Sequence, residues 1–196
     1  MFSLEQGKKL VKVARQAVIS KLEGKTFELK GFEELGGVFV TIHGYPNNEL
    51  KGCIGYPEPV FPLNKALVQA ARAAASSDPR FRSITKQELD SIIFEVSALT
   101  KPELIKVKTP KDYEKEIKIG RDGLVAESQG YRGVLLPQVA PEWKWDVKEF
   151  LNNTCEKAGL PAEEWKKIKL VKIYKFQAQI FKETKPNGEI VEAKSF

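Results

Sequence analysis

The stretch VFVTIHGYPNNELKGCI, residues 38–54, indicates the fold of this chain. Valine or isoleucine at positions 38, 40 and 42 alternates with other side chains, which is the pattern of a strand with one buried face. The Gly44–Asn48 segment has the composition of a turn. The Glu49–Ile54 segment then returns as a partner strand, so the stretch predicts an antiparallel hairpin.

The position of this turn predicts the pairing of the two strands. The expected opposite pairs are His43 with Glu49, Thr41 with Lys51, and Phe39 with Cys53. In this register five apolar residues share the core face: Val38, Val40, Ile42, Leu50 and Ile54. A shift of one residue would scatter them over both faces. We therefore expect Lys51 and Cys53 to point away from the hydrophobic layer.

Helical and strand patterns extend outward from this hairpin. A capping box at Ser3 and Gln6 begins a helix that ends at Gly24, and Pro62 begins a second helix. The Ser91–Thr100 segment alternates as a long strand. After Pro102 a similar order recurs: a helix from Thr109 to about Ile117, a hairpin of Gly123–Ser128 and Arg132–Leu136, a helix from Asp146 to Ala158, and a strand over Leu170–Glu183.

This order predicts an α+β fold, a mainly antiparallel sheet with flanking helices. It also suggests an internal duplication of a helix-hairpin-helix-strand unit, because Gly-Tyr occurs in both turns and Pro-Glu follows both hairpins. A chain of 196 residues suits a single domain over 1–196 or two lobes, about 1–100 and 101–196, that share one core.

The composition excludes several classes of protein. No apolar run approaches the roughly 20 residues of a membrane span, and the first residues lack a secretory signal, so we expect a cytoplasmic protein without membrane contact. Two cysteines and one histidine argue against a disulfide framework and a zinc site, and no phosphate-binding glycine loop occurs. No metal or cofactor is therefore predicted. The lysine-rich, acid-balanced charge of +6 resembles that of thermophile proteins.

Cys53 is the leading candidate for a catalytic residue. It lies between Gly52 and Gly55, which are expected to allow positive φ or close approach of other groups, and two residues from Lys51. A thiol in this setting can act as a nucleophile or redox group. The alternative is a small half-buried residue beside a β-bulge. In the predicted register His43 lies about 13 Å along the strand, which argues against a Cys–His dyad.

Further polar residues are candidate binding residues, each with a structural alternative. Asp78 and Arg80, with Arg82, either line the same cleft as Cys53 or form a helix-terminating turn. Glu95 and Ser97 share one face of a strand and either contact a ligand or are simply solvated. Gln138 lies in an apolar stretch, where its amide either contacts a ligand or satisfies backbone groups.

Two other patterns favour structural roles. The three tryptophans are expected to pack in the core or between lobes rather than to form stacking platforms. An unopposed basic run resembles a phosphate-tracking surface: Lys166, Lys167, Lys169, Lys172 and Lys175. Because successive strand residues alternate faces, the run does not form one stripe, and a solvated edge is favoured over nucleic-acid binding.

The motif LKGCIG at 50–55 resembles the signature of the AMMECR domain family, named for a gene product of a human chromosomal region linked to Alport features, midface hypoplasia and elliptocytosis. Similar motifs are AAASSDPRF at 73–81, EVS at 95–97, DGL at 122–124, LLPQV at 135–139, Glu142 with Trp145, and KAGL at 157–160. Lys51 departs from the arginine usual in the family, which weakens a two-pronged anion grip there.

The resemblance, which spans about 36–165, implies an α+β fold in a stand-alone archaeal or bacterial member, without an established activity. Family members occur beside or fused to Memo-type dioxygenase-like proteins and radical-SAM proteins. Three hypotheses follow: a ligand or catalytic site at Cys53, an interaction module that docks a Memo-type or radical-SAM protein, and nucleic-acid binding through the lysine-rich face.

Overall fold

The computed structural model describes residues 1–193. Contacts within the chain divide it into two compact units. Unit 1 contains residues 1–99 together with the segment that begins at Gln179, and unit 2 contains Thr100–Ala178.

Unit 1 combines two long helices with an antiparallel sheet. Its elements are α1 (Leu4–Leu22), β1 (Val38–Gly44), β2 (Leu50–Tyr56), α2 (Leu63–Ser76), a 3-10 helix (Lys86–Ser91) and β3 (Ile92–Leu99). The end of β7 and the short strand β8 (Ile190–Ala193) complete it. The strand order is β2-β1-β3-β7, with β8 paired to β7. Apolar residues of α1 and α2 form the core together with Val38, Val40 and Ile42, which are fully buried.

Unit 2 has its own core. Its elements are β4 (Glu103–Leu104), a 3-10 turn (Pro110–Asp112), α3 (Tyr113–Glu116), β5 (Asp122–Ser128), β6 (Tyr131–Leu135), α4 (Val139–Glu142), α5 (Val147–Lys157), a 3-10 helix (Ala162–Lys166) and β7 (Lys172–Glu183), which continues into unit 1. The strand order is β7-β5-β6, with β4 paired to β7. Phe150, Leu151 and Cys155 of α5 are completely buried in this core.

The predicted α+β class, antiparallel sheet and flanking helices are confirmed. Local signals were reliable, because helices begin at the predicted capping box of Ser3 and at the predicted start, Asp146. The predicted helix after Thr109 is instead a 3-10 turn followed by one helical turn. Each unit has a helix-hairpin-helix-strand order, but an internal duplication is not confirmed.

The predicted register of the first hairpin is wrong by two residues. Cys53 pairs with Thr41, and Phe39 pairs with Gly55. Two one-residue differences add up to this shift. The turn is one residue longer than predicted, since His43 pairs with Leu50 rather than Glu49, and a β-bulge follows, since Ile42 pairs with Gly52 and leaves Lys51 as an extra residue. A shift of two keeps each side chain on its face, so Cys53 still lies opposite the core face. Leu50, beyond the bulge, pairs with His43 and is not in the core cluster.

Two features of residues 1–193 bear on function. No helix within residues 1–193 is long and apolar enough to span a membrane. The same residues contain no cluster of three or more histidine, cysteine, aspartate or glutamate side chains that could hold a metal ion.

Candidate functional site

The backbone of Cys53 is held by two side chains that follow α2. Its N–H donates to Asp78 Oδ2 at 2.9 Å, and Arg80 Nη2 donates to its carbonyl oxygen at 3.2 Å. Arg80 also donates through Nε and Nη2 to the two Asp78 oxygens at 2.9 and 2.7 Å. Because β2 ends the strand order, the outward groups of Cys53 have no neighbouring strand, and this pair of side chains takes its place.

Charge and burial stabilise this pair, called here the Asp78–Arg80 clamp. The Asp78 side chain is only 2% exposed, whereas that of Arg80 is 57% exposed. The hydrogen bond from Arg80 is the main reason that the pKa of Asp78 lies far below its usual range. Asp78 is therefore a carboxylate whose two oxygens fix the strand at Cys53. Arg82 does not join the clamp, since it pairs with Glu88.

Cys53 lies in a row of side chains that crosses three strands. Thr41 pairs with Cys53 on one side and with Glu95 on the other, so the three share the face opposite α1 and α2. The Thr41 hydroxyl donates to Cys53 Sγ at 3.3 Å. Ser97 lies in the adjacent row, paired with Phe39. The Cys53 thiol is half-buried rather than sealed in the core.

Glu95 is the second ionisable group of this row. Burial raises the pKa of its carboxyl, and the charges of His43 and Lys182 partly oppose that rise. Within residues 1–193 no hydrogen bond to the Glu95 carboxyl is found. Glu95 is therefore a half-buried acid that is easier to keep protonated than an ordinary glutamate.

His43 lies closer to Cys53 than the predicted register implied. It is two residues from Thr41, the true partner of Cys53, or about 7 Å along the strand. Its Nδ1 atom is buried and has no hydrogen-bond partner among the described residues. The predicted separation of about 13 Å thus came from the wrong pairing, although His43 and Cys53 are not direct neighbours.

The glycines of the motif serve close packing. Neither Gly52 nor Gly55 has a positive φ, contrary to one of the two roles expected for them. A Cβ on Gly52 would lie 2.0 Å from the Ala74 carbonyl oxygen of α2, and one on Gly55 would lie 2.3 Å from the Phe39 ring. These contacts exclude any side chain at either position. Lys51, the bulge residue, pairs with Glu49 at 2.8 Å.

The remaining candidate and the second cysteine lie in unit 2. Gln138 is half-buried and precedes α4 as its N-cap residue. Its convergence with Cys53 stays a prediction. Cys155 is completely buried, and burial raises the pKa of its thiol to about 11. Cys155 is therefore an unreactive internal reference for Cys53.

Two structural interpretations need correction. Trp165 is buried as expected, but Trp143 is 69% exposed and stacks on Trp145 with ring centroids 6.1 Å apart. The basic run is not unopposed: Lys166 pairs with Glu163, Lys167 with Glu164 and Lys175 with Glu116. These carboxylates weaken the case for a phosphate-binding surface.

Sequence reasoning missed three groups of this face: Thr41, His43 and Lys182. The alternating pattern of β1 placed Thr41 and His43 on the same face as Cys53 and was the available signal, but the misplaced register hid their proximity. Lys182 is 129 positions after Cys53, and only the pairing of β7 within the sheet brings its charge near Glu95.

Comparisons with known proteins agree on one family. A model of the AMMECR1 family matches residues 11–181. Protein MJ0810 of Methanocaldococcus jannaschii is 52% identical over 198 residues, covering 99% of this chain and 98% of its own. A Methanothermobacter thermautotrophicus protein is 50% identical over 187 residues, covering 92% and 96%. The crystal structure of the uncharacterized protein PH0010 from Pyrococcus horikoshii has a TM-score of 0.77 and 45% identity, covering 96% of this chain and 97% of that chain.

None of these descriptions states a reaction, a ligand or a partner. The family model spans most of the chain and includes the whole hairpin with Cys53. The chain therefore belongs to the AMMECR1 family, whose biochemical activity is not established.

Proposed function

We propose that this protein binds a small molecule on the face of unit 1 that carries Cys53, with the thiol as nucleophile. The observation that carries the proposal is the row of Cys53, Thr41 and Glu95, in which the sulfur accepts a hydrogen bond at 3.3 Å. The hydroxyl holds the sulfur in place on this face, where the half-buried thiol can meet a substrate. The Asp78–Arg80 clamp supports the proposal because it fixes the backbone beneath the thiol.

The spacing of the row suggests how the groups divide the chemistry. Adjacent strands lie about 4.8 Å apart, so the Cα atoms of Cys53 and Glu95 are roughly 10 Å apart. A substrate would lie between them over Thr41. The sulfur, after losing its proton to water, would form a bond to an electrophilic carbon. Glu95 in its protonated form would give its proton to the oxygen or nitrogen atom that receives the displaced electron pair. A cytoplasmic location is part of this proposal, because thiols stay reduced there.

The first prediction concerns the reactivity of the two thiols. With iodoacetamide at pH 7.5, Cys53 is expected to alkylate at least about tenfold faster than Cys155, because burial disfavours the Cys155 thiolate. Peptide mass spectrometry of the native protein measures both rates. Thr41→Val should slow the alkylation of Cys53 about threefold to tenfold by removing the hydrogen bond to sulfur. Thr85→Val, which lies outside the row, should leave that rate unchanged.

Two outcomes would contradict the proposal. Equal, slow alkylation of both thiols would remove the nucleophile. A Cys53 rate that rises linearly with the concentration of an aromatic chloroacetamide, without saturation, would show that no binding step precedes the reaction. We expect saturation, because a formed site binds the reagent before the sulfur attacks.

The second prediction concerns the raised pKa of Glu95. At a pH below the usual pKa of glutamate, the carboxyl is neutral in both the folded and the unfolded state, so Glu95→Gln should change stability little. As pH rises toward the raised folded pKa, the unfolded state loses its proton first, and the wild type becomes less stable than the variant. Thermal melts from pH 4 to 8 should show an advantage of Glu95→Gln that widens with pH and then levels off. A constant difference would contradict the burial of this charge.

A second candidate function is docking of a partner protein, and one observation favours it. Leu35, Val60 and Phe61 are 62%, 58% and 42% exposed, and Phe61 packs edge-on against Tyr56 at the end of β2. Exposed apolar residues at the rim of a motif are typical of interaction sites. A purified Memo-type or radical-SAM protein should be retained by the wild type and lost with Val60→Ser/Phe61→Ser. Equal retention of the partner by the wild type and by the double variant would argue against docking at these apolar residues.

A further inference from the structure

We propose a second ligand site in unit 1, a groove along α2 that takes a small amphipathic molecule with one anionic group. The groove has a volume of about 530 Å³ and lies between α2 and the segment that contains Phe27 and Leu29. Pockets for metabolite-sized ligands typically measure about 300–1,000 Å³. The groove shares no residue with the Cys53 row, and the proposal is independent of the function proposed there.

The apolar part of the ligand would contact three side chains of the groove. Val68 is 8% exposed and belongs to the core of the unit, so it gives the groove a rigid base. Phe27 and Leu29 are half-buried and pack against the same core while they line the groove. An aromatic ring or a short alkyl chain would gain burial against these three side chains.

The charges of the groove lining determine which polar group the ligand carries. Lys65 and Arg72 both line the groove, and their seven-residue separation places them on one face of α2, about 10 Å apart along its axis. Neither forms an ion pair among residues 1–193, whereas Glu28, the acid of the lining, is exposed. Two cations and one carboxylate leave a net charge of +1, which matches a single anionic group.

Hydrogen bonds of lining residues hold both walls of the groove. Arg72 Nε donates to the Ala17 carbonyl oxygen of α1 at 3.4 Å. This bond positions the guanidinium and does not involve its two Nη atoms, which remain for the ligand. Asn64 Nδ2 donates to the Leu29 carbonyl oxygen at 3.2 Å, and Asn64 N–H donates to Phe32 at 3.0 Å. The first turn of α2 thus fixes the opposite wall. A site whose walls are fixed beforehand loses little entropy on binding.

A pair of related dyes tests this site on the full-length protein. The anionic dye 1-anilinonaphthalene-8-sulfonate should bind with a stoichiometry of one, and N-phenyl-1-naphthylamine, which lacks the sulfonate, should bind at least about tenfold more weakly. Arg72→Gln should weaken binding of the anionic dye about tenfold and leave the neutral dye unchanged. Fluorescence titration at fixed ionic strength measures all of these affinities.

Gln69→Glu is the second variant, because Gln69 is exposed in the lining and the change is isosteric, so folding is not at risk. It should weaken binding of the anionic dye about tenfold by repulsion. The matched control Gln87→Glu, on the 3-10 helix Lys86–Ser91, should leave that binding unchanged. The proposal is overturned if Gln69→Glu binds the anionic dye as the wild type does. It is also overturned if Gln87→Glu weakens binding equally, or if both dyes bind alike.

Discussion

Replacement of Gly52 by alanine is expected to destabilise unit 1 by about 3 kcal/mol or more. The added Cβ would lie 2.0 Å from the Ala74 carbonyl oxygen and 3.0 Å from its carbonyl carbon, so the obstacle is helix backbone rather than a mobile side chain. The strand and α2 must separate along their contact, which loosens the core beneath β2. For a chain of this size the melting temperature should fall by roughly 6–12 °C.

Gly44→Ala is the matched control in the same hairpin. Its Cβ would meet Asn47 Oδ1 at 3.1 Å and Lys51 Cε at 3.3 Å, both at the ends of flexible side chains that can move aside. Its melting temperature should stay within a few degrees of the wild type. Equal melting temperatures for Gly52→Ala and Gly44→Ala would show that α2 does not approach the strand as closely as described.

Glu183→Gln should cost about 3–5 kcal/mol of unfolding free energy, because it leaves a buried guanidinium without its counter-charge. Glu183 and Arg15 have side chains 3% and 5% exposed and meet through two hydrogen bonds of 2.7 and 2.6 Å. Glu183 also accepts the Phe94 N–H at 3.0 Å. Urea denaturation of the variant measures the loss as a lower midpoint with an unchanged slope.

Two further variants separate the charge from its surroundings. Arg15→Met/Glu183→Leu removes both charges and should recover part of the loss, since no ion is then left unpaired. Lys167→Gln breaks the surface pair with Glu164, in which the lysine side chain is 59% exposed, and should change the midpoint little. If Glu183→Gln lowers the urea midpoint as little as Lys167→Gln does, the Arg15–Glu183 pair is not buried as described.

The sequence was informative where the signal is local. The capping box at Ser3 depends on residues three positions apart, and the alternation of β1 depends on neighbours, so both were recognisable. The bulge at Lys51 was not recognisable. Together with the longer turn it shifts the pairing by two residues, which leaves the apolar residues on the same face. The longer turn and the bulge together moved the partner of Cys53 from Phe39 to Thr41.

Long-range features could not be inferred in the same way. The Arg15–Glu183 pair joins residues 168 positions apart, and the raised pKa of Glu95 depends on burial by elements remote in the chain. The clamp at Cys53 was partly visible, because Asp78 and Arg80 were among the candidate residues. Their contact with the Cys53 backbone, however, depends on how α2 packs against β2.

The Asp78–Arg80 clamp has a consequence for assembly. An open sheet margin invites a foreign segment to extend it by backbone pairing. At Cys53 both backbone groups that such a segment would need are already engaged, one by a carboxylate and one by a guanidinium. Sheet extension is therefore blocked at the middle of β2, and a protein that docks there must recognise side chains rather than add a strand.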